Sequence, residues 1–378
     1  MDVFETVTAG RRLFVKRPAV ALLAAGILYL LADLALKLVN VPVSVGGVHL
    51  IGGSLKTSTF GRFLVDGLVV GLVVGLAGVG LSMTYSILNF ANFAHGDYLT
   101  TGAFSGWLVA YIVGVFTLGL DVSTGDIVLL NAPSLVSAAN APIAIVAGLI
   151  ASALVTVAIV LLLDRWVYRP MRDKGGIPLL IASIGVALAL RYAIVFMYGT
   201  SARGLTSTSS IPQWSIPTGD GSVPIDLHEI TLIIAAVGLM FGIHFLLQRT
   251  KLGTAMRAMA DNKALAQVTG IPTERVIRAT WIIGGGLAGV AGFLIVLERG
   301  TLSFNIGWRL LLLIFAGVIL GGIGSVYGAM AGGILIGVAS RMSLVWIPSD
   351  FARVAAFTVM ILVLLYRPEG LFGGVKTA

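Results

Sequence analysis

The chain of 378 residues is 57% hydrophobic and 11% charged, with a mean hydropathy of +1.00 and a formal net charge of +8. Soluble domains hold roughly 25% charged residues, so a soluble globular fold is excluded, and the 48 glycines suit membrane helices packed backbone to backbone. Zero cysteines exclude a disulfide framework, thiolate catalysis and cysteine metal sites, while basic residues in short loops, without an aromatic–basic stripe, exclude a nucleic-acid surface.

Segments of ~20 mostly apolar residues are candidate membrane helices. The first, 19–36, follows Arg11, Arg12, Lys16 and Arg17. Its apolar run exceeds the ~7–15 residues of a signal-peptide core and ends without a small-x-small site, so a retained signal anchor is expected. The next, 64–88, is cut off by Asn89-Phe90-Ala91-Asn92-Phe93-Ala94-His95-Gly96-Asp97 before 99–118 begins. Amides, an imidazole and a carboxylate are costly in hydrocarbon, and the interruption predicts a broken or re-entrant element. Spans follow at 143–163, 177–196, 230–247 and 279–296. Two shorter runs, 310–320 and 329–339 with its extension to 346, flank Gly321-Gly322-Ile323-Gly324 and predict half-helices or a hairpin. The run 351–366 closes the series. The expected fold is all-α, a polytopic integral membrane protein of about eight to ten transmembrane helices, some broken or re-entrant. The polar insertions 200–229 and 248–280 are loop-sized, so no soluble domain is expected.

Loop charge predicts orientation. Arg165, Arg169, Arg172 and Lys174 share one loop; Arg249, Lys251, Arg257, Lys263, Arg275 and Arg278 share the next on the same side. The opposite loops, 121–140 and 200–229, hold only Arg203, with Arg299 and Arg309 as exceptions to the pattern. The positive-inside rule then places both termini in the cytoplasm.

Three glycine series have helical spacing: Gly67, Gly71 and Gly75; Gly324, Gly328 and Gly332; and the pair Gly285 and Gly289. Each puts glycines on one helix face, for packing within the subunit or against a second transmembrane subunit. The run Gly75-Leu76-Ala77-Gly78-Val79-Gly80 is echoed by Gly286-Leu287-Ala288-Gly289-Val290-Ala291-Gly292. This is either an internal repeat of the kind transporters carry or a coincidence of composition. No G-x-x-x-x-G-K-[ST] pattern occurs, so any ATP must bind another chain.

In 251–278, Leu252, Met256 and Met259 form one apolar helix face, with Arg257, Asp261 and Lys263 pointing elsewhere. Gly270 ends that segment and Pro272 opens a new turn. Such a short amphipathic helix either lies at the membrane interface or fits a groove of a cytoplasmic partner. The cluster Asn89, Asn92, His95 and Asp97 has three readings: capping of broken helices, substrate contact or gating, and proton relay. Arg191, late in the fifth span, is expected to snorkel or to pair. The four scattered histidines give no metal site, and no G-x-S-x-G elbow supports hydrolytic catalysis.

The run Gly80-Leu81-Ser82-Met83-Thr84-Tyr85-Ser86-Ile87-Leu88-Asn89-Phe90, continued by Asn92-Phe93-Ala94-His95-Gly96-Asp97, resembles the signature of the branched-chain amino acid ABC transporter permeases, of the first of their two types. Leu252-Gly253-Thr254-Ala255-Met256-Arg257-Ala258, Gly321-Gly322-Ile323-Gly324-Ser325-Val326-Tyr327-Gly328 and Tyr366-Arg367-Pro368-Glu369-Gly370-Leu371-Phe372-Gly373 are similar in the same order. The resemblance covers about 60–373, a permease domain; 1–59 is an N-terminal extension with one extra span, and 374–378 a tail. It implies a non-enzymatic permease subunit of a cell-membrane importer that works by alternating access and carries no cofactor. Its expected partners are a second permease subunit or a second copy, two ATP-binding subunits holding ATP and magnesium, an extracytoplasmic solute-binding protein and membrane lipid. The loop docking on the ATPase would run from Arg257 through Asp261 and Asn262 to Gly270. Here Ala264-Leu265-Ala266 replaces the Glu-Ala-Ala of the wider importer pattern, so no glutamate anchors it. The alternatives are an ion-coupled secondary transporter, which requires intramembrane carboxylates such as Asp66 or Asp97 to titrate, and a channel for small polar solutes.

Overall fold

The computed structural model describes residues 18–45, 48–119, 121–130, 136–206 and 211–373. Arg11, Arg12, Lys16 and Arg17 and the tail 374–378 lie outside the described residues. The helices in chain order are α1 (Pro18–Leu38), α2 (Thr57–Leu88), α3 (His95–Leu118), the short α4 (Thr124–Val128), α5 (Pro142–Leu163), α6 (Gly176–Tyr198), α7 (Leu227–Arg249), α8 (Lys251–Asp261), α9 (Lys263–Val268), α10 (Thr273–Arg299), α11 (Ile306–Gly321), α12 (Val326–Met342) and α13 (Ala352–Tyr366). Among the described residues, eight helical stretches are long and apolar enough to cross a membrane, and α11 is apolar but shorter. The chain is an all-α polytopic membrane protein.

Local chemistry sets the helix ends. Asn89 closes α2 in the left-handed region at φ 54°, and Gly300 closes α10 at φ 65°. Both geometries leave room for a reversal that a β-branched residue resists. Asp226 and Glu229 form a reciprocal capping box at the start of α7, and the Ser325 hydroxyl accepts the Gly328 N–H at 3.0 Å to open α12. Gly324 therefore lies in the turn before α12, at φ +90°, and not on a helical face with Gly328 and Gly332. The backbone of the C-terminal motif finishes α11: Leu371 and Phe372 N–H groups donate to Leu320 and Gly321 carbonyls at 2.9 and 3.0 Å. Those carbonyls have no partner within their own helix.

Two expectations change in extent. The 200–229 insertion is not a plain loop but contains an antiparallel hairpin, Gln213–Thr218 against Gly221–Asp226. The third span begins at His95, not at residue 99, so the polar His95-Gly96-Asp97 is the first turn of α3 and not a linker. An acidic residue is favoured there by the helix dipole.

The core is built from α2, α3 and α10, whose side chains are mostly buried, while α5, α6, α7 and α13 present apolar faces outward. Close helix contacts occur at glycines. A Cβ at Gly67 would lie 2.8 Å from Val338 Cα, and one at Gly71 2.7 Å from Ile334 Cα, so α2 and α12 touch backbone to backbone. Gly333 and Gly337 complete that face, while Gly328 and Gly332 fit α12 onto Gly321 and Gly317 of α11.

These contacts also recur between the two halves. α2 packs on α12 as α10 packs on α5, and α3 packs on α5 as α11 packs on α12. α2 meets α10 at Gly80 and Gly284, and the first turns of α3 and α11 meet at Gly96 and Gly307. Gly96 and Gly307 are as far apart in sequence as Gly75 and Gly286, which start the two echoed runs. An internal repeat explains this agreement between sequence offset and packing; composition alone does not.

Candidate functional site

The interruption after α2 doubles back into the bundle. His95 Nε2 lies 2.8 Å from the Ala77 carbonyl, three turns before the end of α2, so residues 89–94 run back along that helix and α3 starts inside the protein. Asn92 turns this corner: its side-chain oxygen accepts the Ala94 N–H at 3.1 Å, and the Ser183 hydroxyl of α6 accepts the neighbouring Phe93 N–H at 3.0 Å. Asn92, His95 and Asp97 are fully or almost fully buried, whereas Asn89 is exposed at the end of α2. The structure thus brings three of the four sequence-selected residues together and leaves Asn89 apart.

Asp97 is held by Arg191 of α6, whose Nε and Nη2 donate to the two carboxylate oxygens at 3.1 and 2.8 Å. The guanidinium also lies over the Trp308 ring of α11, 4.5 Å from its centroid, an arrangement that stabilises a desolvated cation. Three helices are therefore linked by one fork-shaped ion pair and one ring. Beside it, the Tyr98 and Tyr168 hydroxyls are 2.9 Å apart, and Tyr168 stacks on Trp281 with ring centroids 5.1 Å apart. Sequence reasoning placed Arg191 as snorkelling or paired without naming its partner. Trp308 and Tyr168 carry no sequence signal, because aromatic residues in apolar helices are ordinary core.

At one end of the bundle, α7 continues through Thr250 into α8 and α9. Thr250 and Asn262 cap the two short helices, accepting the Gly253 and Leu265 N–H groups at 3.1 and 3.0 Å. Met256, Met259 and Ala266 are buried beneath them. Arg257 does not point away from the protein: its guanidinium donates to the Leu247 carbonyl and closes the C-terminus of α7. A basic side chain near orphan helix carbonyls is favoured, which outweighs its free exposure. Asp261, Asn262 and Gly270 remain on the surface. The same surface holds two apolar side chains that sequence reasoning did not select, Leu265 at 60% and Val268 at 85% exposure.

A family model described as the permease component of branched-chain amino acid transport systems matches residues 63–364. The chain belongs to this family. Among curated proteins, the permease is 30% identical to the high-affinity branched-chain amino acid transport system permease protein BraD of Pseudomonas aeruginosa, over 82% of this chain and 94% of that protein. It is 29% identical to the permease protein LivH of the corresponding system in Salmonella typhimurium, with the same coverage of both chains. A more distant relative is the ribose import permease RbsC of Escherichia coli, 25% identical over 66% of this chain and 78% of its own. The permease is therefore a membrane transport component and not an enzyme.

Proposed function

We propose that this permease is the membrane-spanning subunit of an ABC importer for branched-chain amino acids or similar small solutes. The observation that carries the reading is the family match across nearly all the membrane-spanning helices, 63–364. In this reading a solute-binding protein delivers solute at the end opposite α8 and α9. Two ATP-binding subunits dock on α8 and α9, and their closure moves the helices between inward- and outward-open states. A second permease subunit, or a second copy, completes the pathway. The termini lie on the α8–α9 side, in the cytoplasm.

The site residues take roles within that cycle. Asn92, His95 and Asp97 hold the start of α3 against α2, α6 and α11, so any movement of α6 past α3 must work against the Asp97–Arg191 pair. This makes the cluster part of the gate and not a solute pocket. Solute selection is assigned in this reading to the binding protein, with the buried Asn92, His95 and Asp97 acting on helix position. The deciding experiment reconstitutes the permease with its ATPase partners and binding protein in proteoliposomes and follows radiolabelled leucine. Accumulation that requires both ATP and the binding protein is expected. Accumulation driven by a proton or sodium gradient without ATP would overturn the reading in favour of a secondary transporter.

A further inference from the structure

A cavity of about 620 Å³ opens where α5 leaves its apolar run, beneath the first turns of α10. Ala158, Leu161 and Leu162 of α5 form one wall, and Asp164, Arg165, Arg169, Glu274 and Arg278 line the rest, three arginines against two carboxylates. The apolar run of α5 stops at Leu163, and Trp166, 70% exposed, stands one turn farther on, as aromatic residues do at a membrane boundary. The acidic groups here are already taken. Arg172 donates to both Asp164 oxygens at 2.5 and 2.6 Å and to Glu274 at 2.8 and 3.1 Å, and Arg169 lies 3.5 Å from Glu274. Arg165 and Arg278 make no ion pair among the described residues and are exposed toward the cavity mouth. The π-helical turn Asp164–Tyr168 presents Arg165 to the cavity alongside Arg169.

We infer that this cavity is a binding site for the phosphate headgroup of an anionic phospholipid, with one acyl chain lying along the Ala158–Leu162 wall of α5. Free phosphate shares the headgroup chemistry but leaves the apolar wall unused, and charge complementarity alone does not explain why a basic pocket has a hydrocarbon side. Basic pockets between transmembrane helices select anionic headgroups in this way. The assignment does not depend on which solute the permease carries. Because the cavity joins the end of α5 to the start of α10, beside α8 and α9, a bound lipid would brace the region next to the proposed ATPase surface.

The test is native mass spectrometry of the full-length permease, titrated with phosphatidylglycerol, phosphatidylcholine, inorganic phosphate and glycerol 3-phosphate. One saturable phosphatidylglycerol per chain is expected, outcompeted by neither soluble phosphate nor phosphatidylcholine. The double variant Arg165→Gln/Arg278→Gln should lose about 30-fold in phosphatidylglycerol affinity, as expected for two basic contacts at a membrane surface, and Arg353→Gln, remote from the cavity, should lose none. If the double variant does not fold, Ala158→Phe fills the cavity from its apolar wall with both arginines kept, and should weaken the same lipid. Equal affinity for the two lipids, unchanged binding in both Arg165→Gln/Arg278→Gln and Ala158→Phe, or displacement by inorganic phosphate would each overturn the inference. The last result would reassign the cavity to a soluble anion.

Discussion

Asp97 has no exposed surface and Arg191 has 13% of its side chain exposed, so neither can replace its partner with bulk water. Removing one charge from such a pair leaves the other desolvated, at a cost of about 3–5 kcal/mol. Asp97→Asn should therefore lower thermal stability in detergent by about 3 kcal/mol, the low end because Trp308 still covers the cation. The double variant Asp97→Asn/Arg191→Gln should recover part of the loss, and equal losses in the single and double variants would refute the pairing. A second carboxylate acts at the opposite kind of site, in the hairpin outside the membrane-spanning helices. Asp220 accepts the Thr57 hydroxyl at 2.6 Å and the Thr57 and Ser58 N–H groups at 2.7 and 3.1 Å, capping α2 from across the chain. Lys56, at the N-cap position, supplies no side-chain bond of its own. The Thr57 hydroxyl and the two N–H donors hold the Asp220 carboxyl below its usual range. Its folded-state value being depressed, the contribution is complete above the unfolded value of about 4 and is lost as pH falls through the lower folded value. Asp220→Ala should raise hydrogen exchange over 57–61 at neutral pH, and the wild-type cap should loosen only in acid; identical exchange in both proteins would refute the cap.

At the scale of elements, α9 is six residues long and exposes Leu265 and Val268 while burying Ala266. A short capped helix with two apolar side chains in water fits a partner groove better than a membrane surface, because its polar neighbours Asp261, Asn262 and Lys263 are exposed beside them. Leu265→Asp and Val268→Asp should each weaken ATPase co-purification roughly tenfold or more, with membrane expression unchanged. Arg257→Ala should instead loosen the α7–α8 turn and lower stability with docking intact in the surviving protein. Co-purification unaffected by either aspartate would remove α9 as the docking element. The α2–α12 contact is equally exacting. A leucine side chain at Gly71 has no space against Ile334, so Gly71→Leu should cost at least about 1–3 kcal/mol as overpacking, read as loss of detergent-stable protein. The hairpin is only half legible in the sequence. Thr218-Gly219-Asp220-Gly221 is turn chemistry between two short runs, but Pro217 and Pro224 inside those runs lower any strand expectation.

The whole molecule carries its basic residues unevenly, and three dimensions alter the count. Arg341 and Arg353 lie near enough to Arg299 to repel it, together with Arg309, so the end opposite α8 and α9 holds an arginine cluster and not two stray exceptions. The α8–α9 end still holds the larger set of Lys and Arg. Because the chain has no cysteine, single cysteines report orientation without background. Gly219→Cys in the hairpin, where added atoms meet open space, should react with membrane-impermeant maleimide in intact cells, and Val268→Cys only after lysis. The reverse pattern would invert the proposed orientation.

The sequence by itself determined the membrane class, nearly every long helix and the family, because apolar run length and glycine spacing are local properties that the chain cannot hide. It also located the 89–97 break, since polar groups inside hydrocarbon must be accounted for wherever they fall. Only the tertiary structure decided what those groups do. Asp97 finds Arg191 across 94 positions of sequence, Arg257 turns inward to close α7, and Gly324 leaves the helical face for a turn. Gly96 meets Gly307 for the same reason: partners for buried charges and bare backbone are chosen by which helices are brought side by side, and that is a property of packing, not of any single segment.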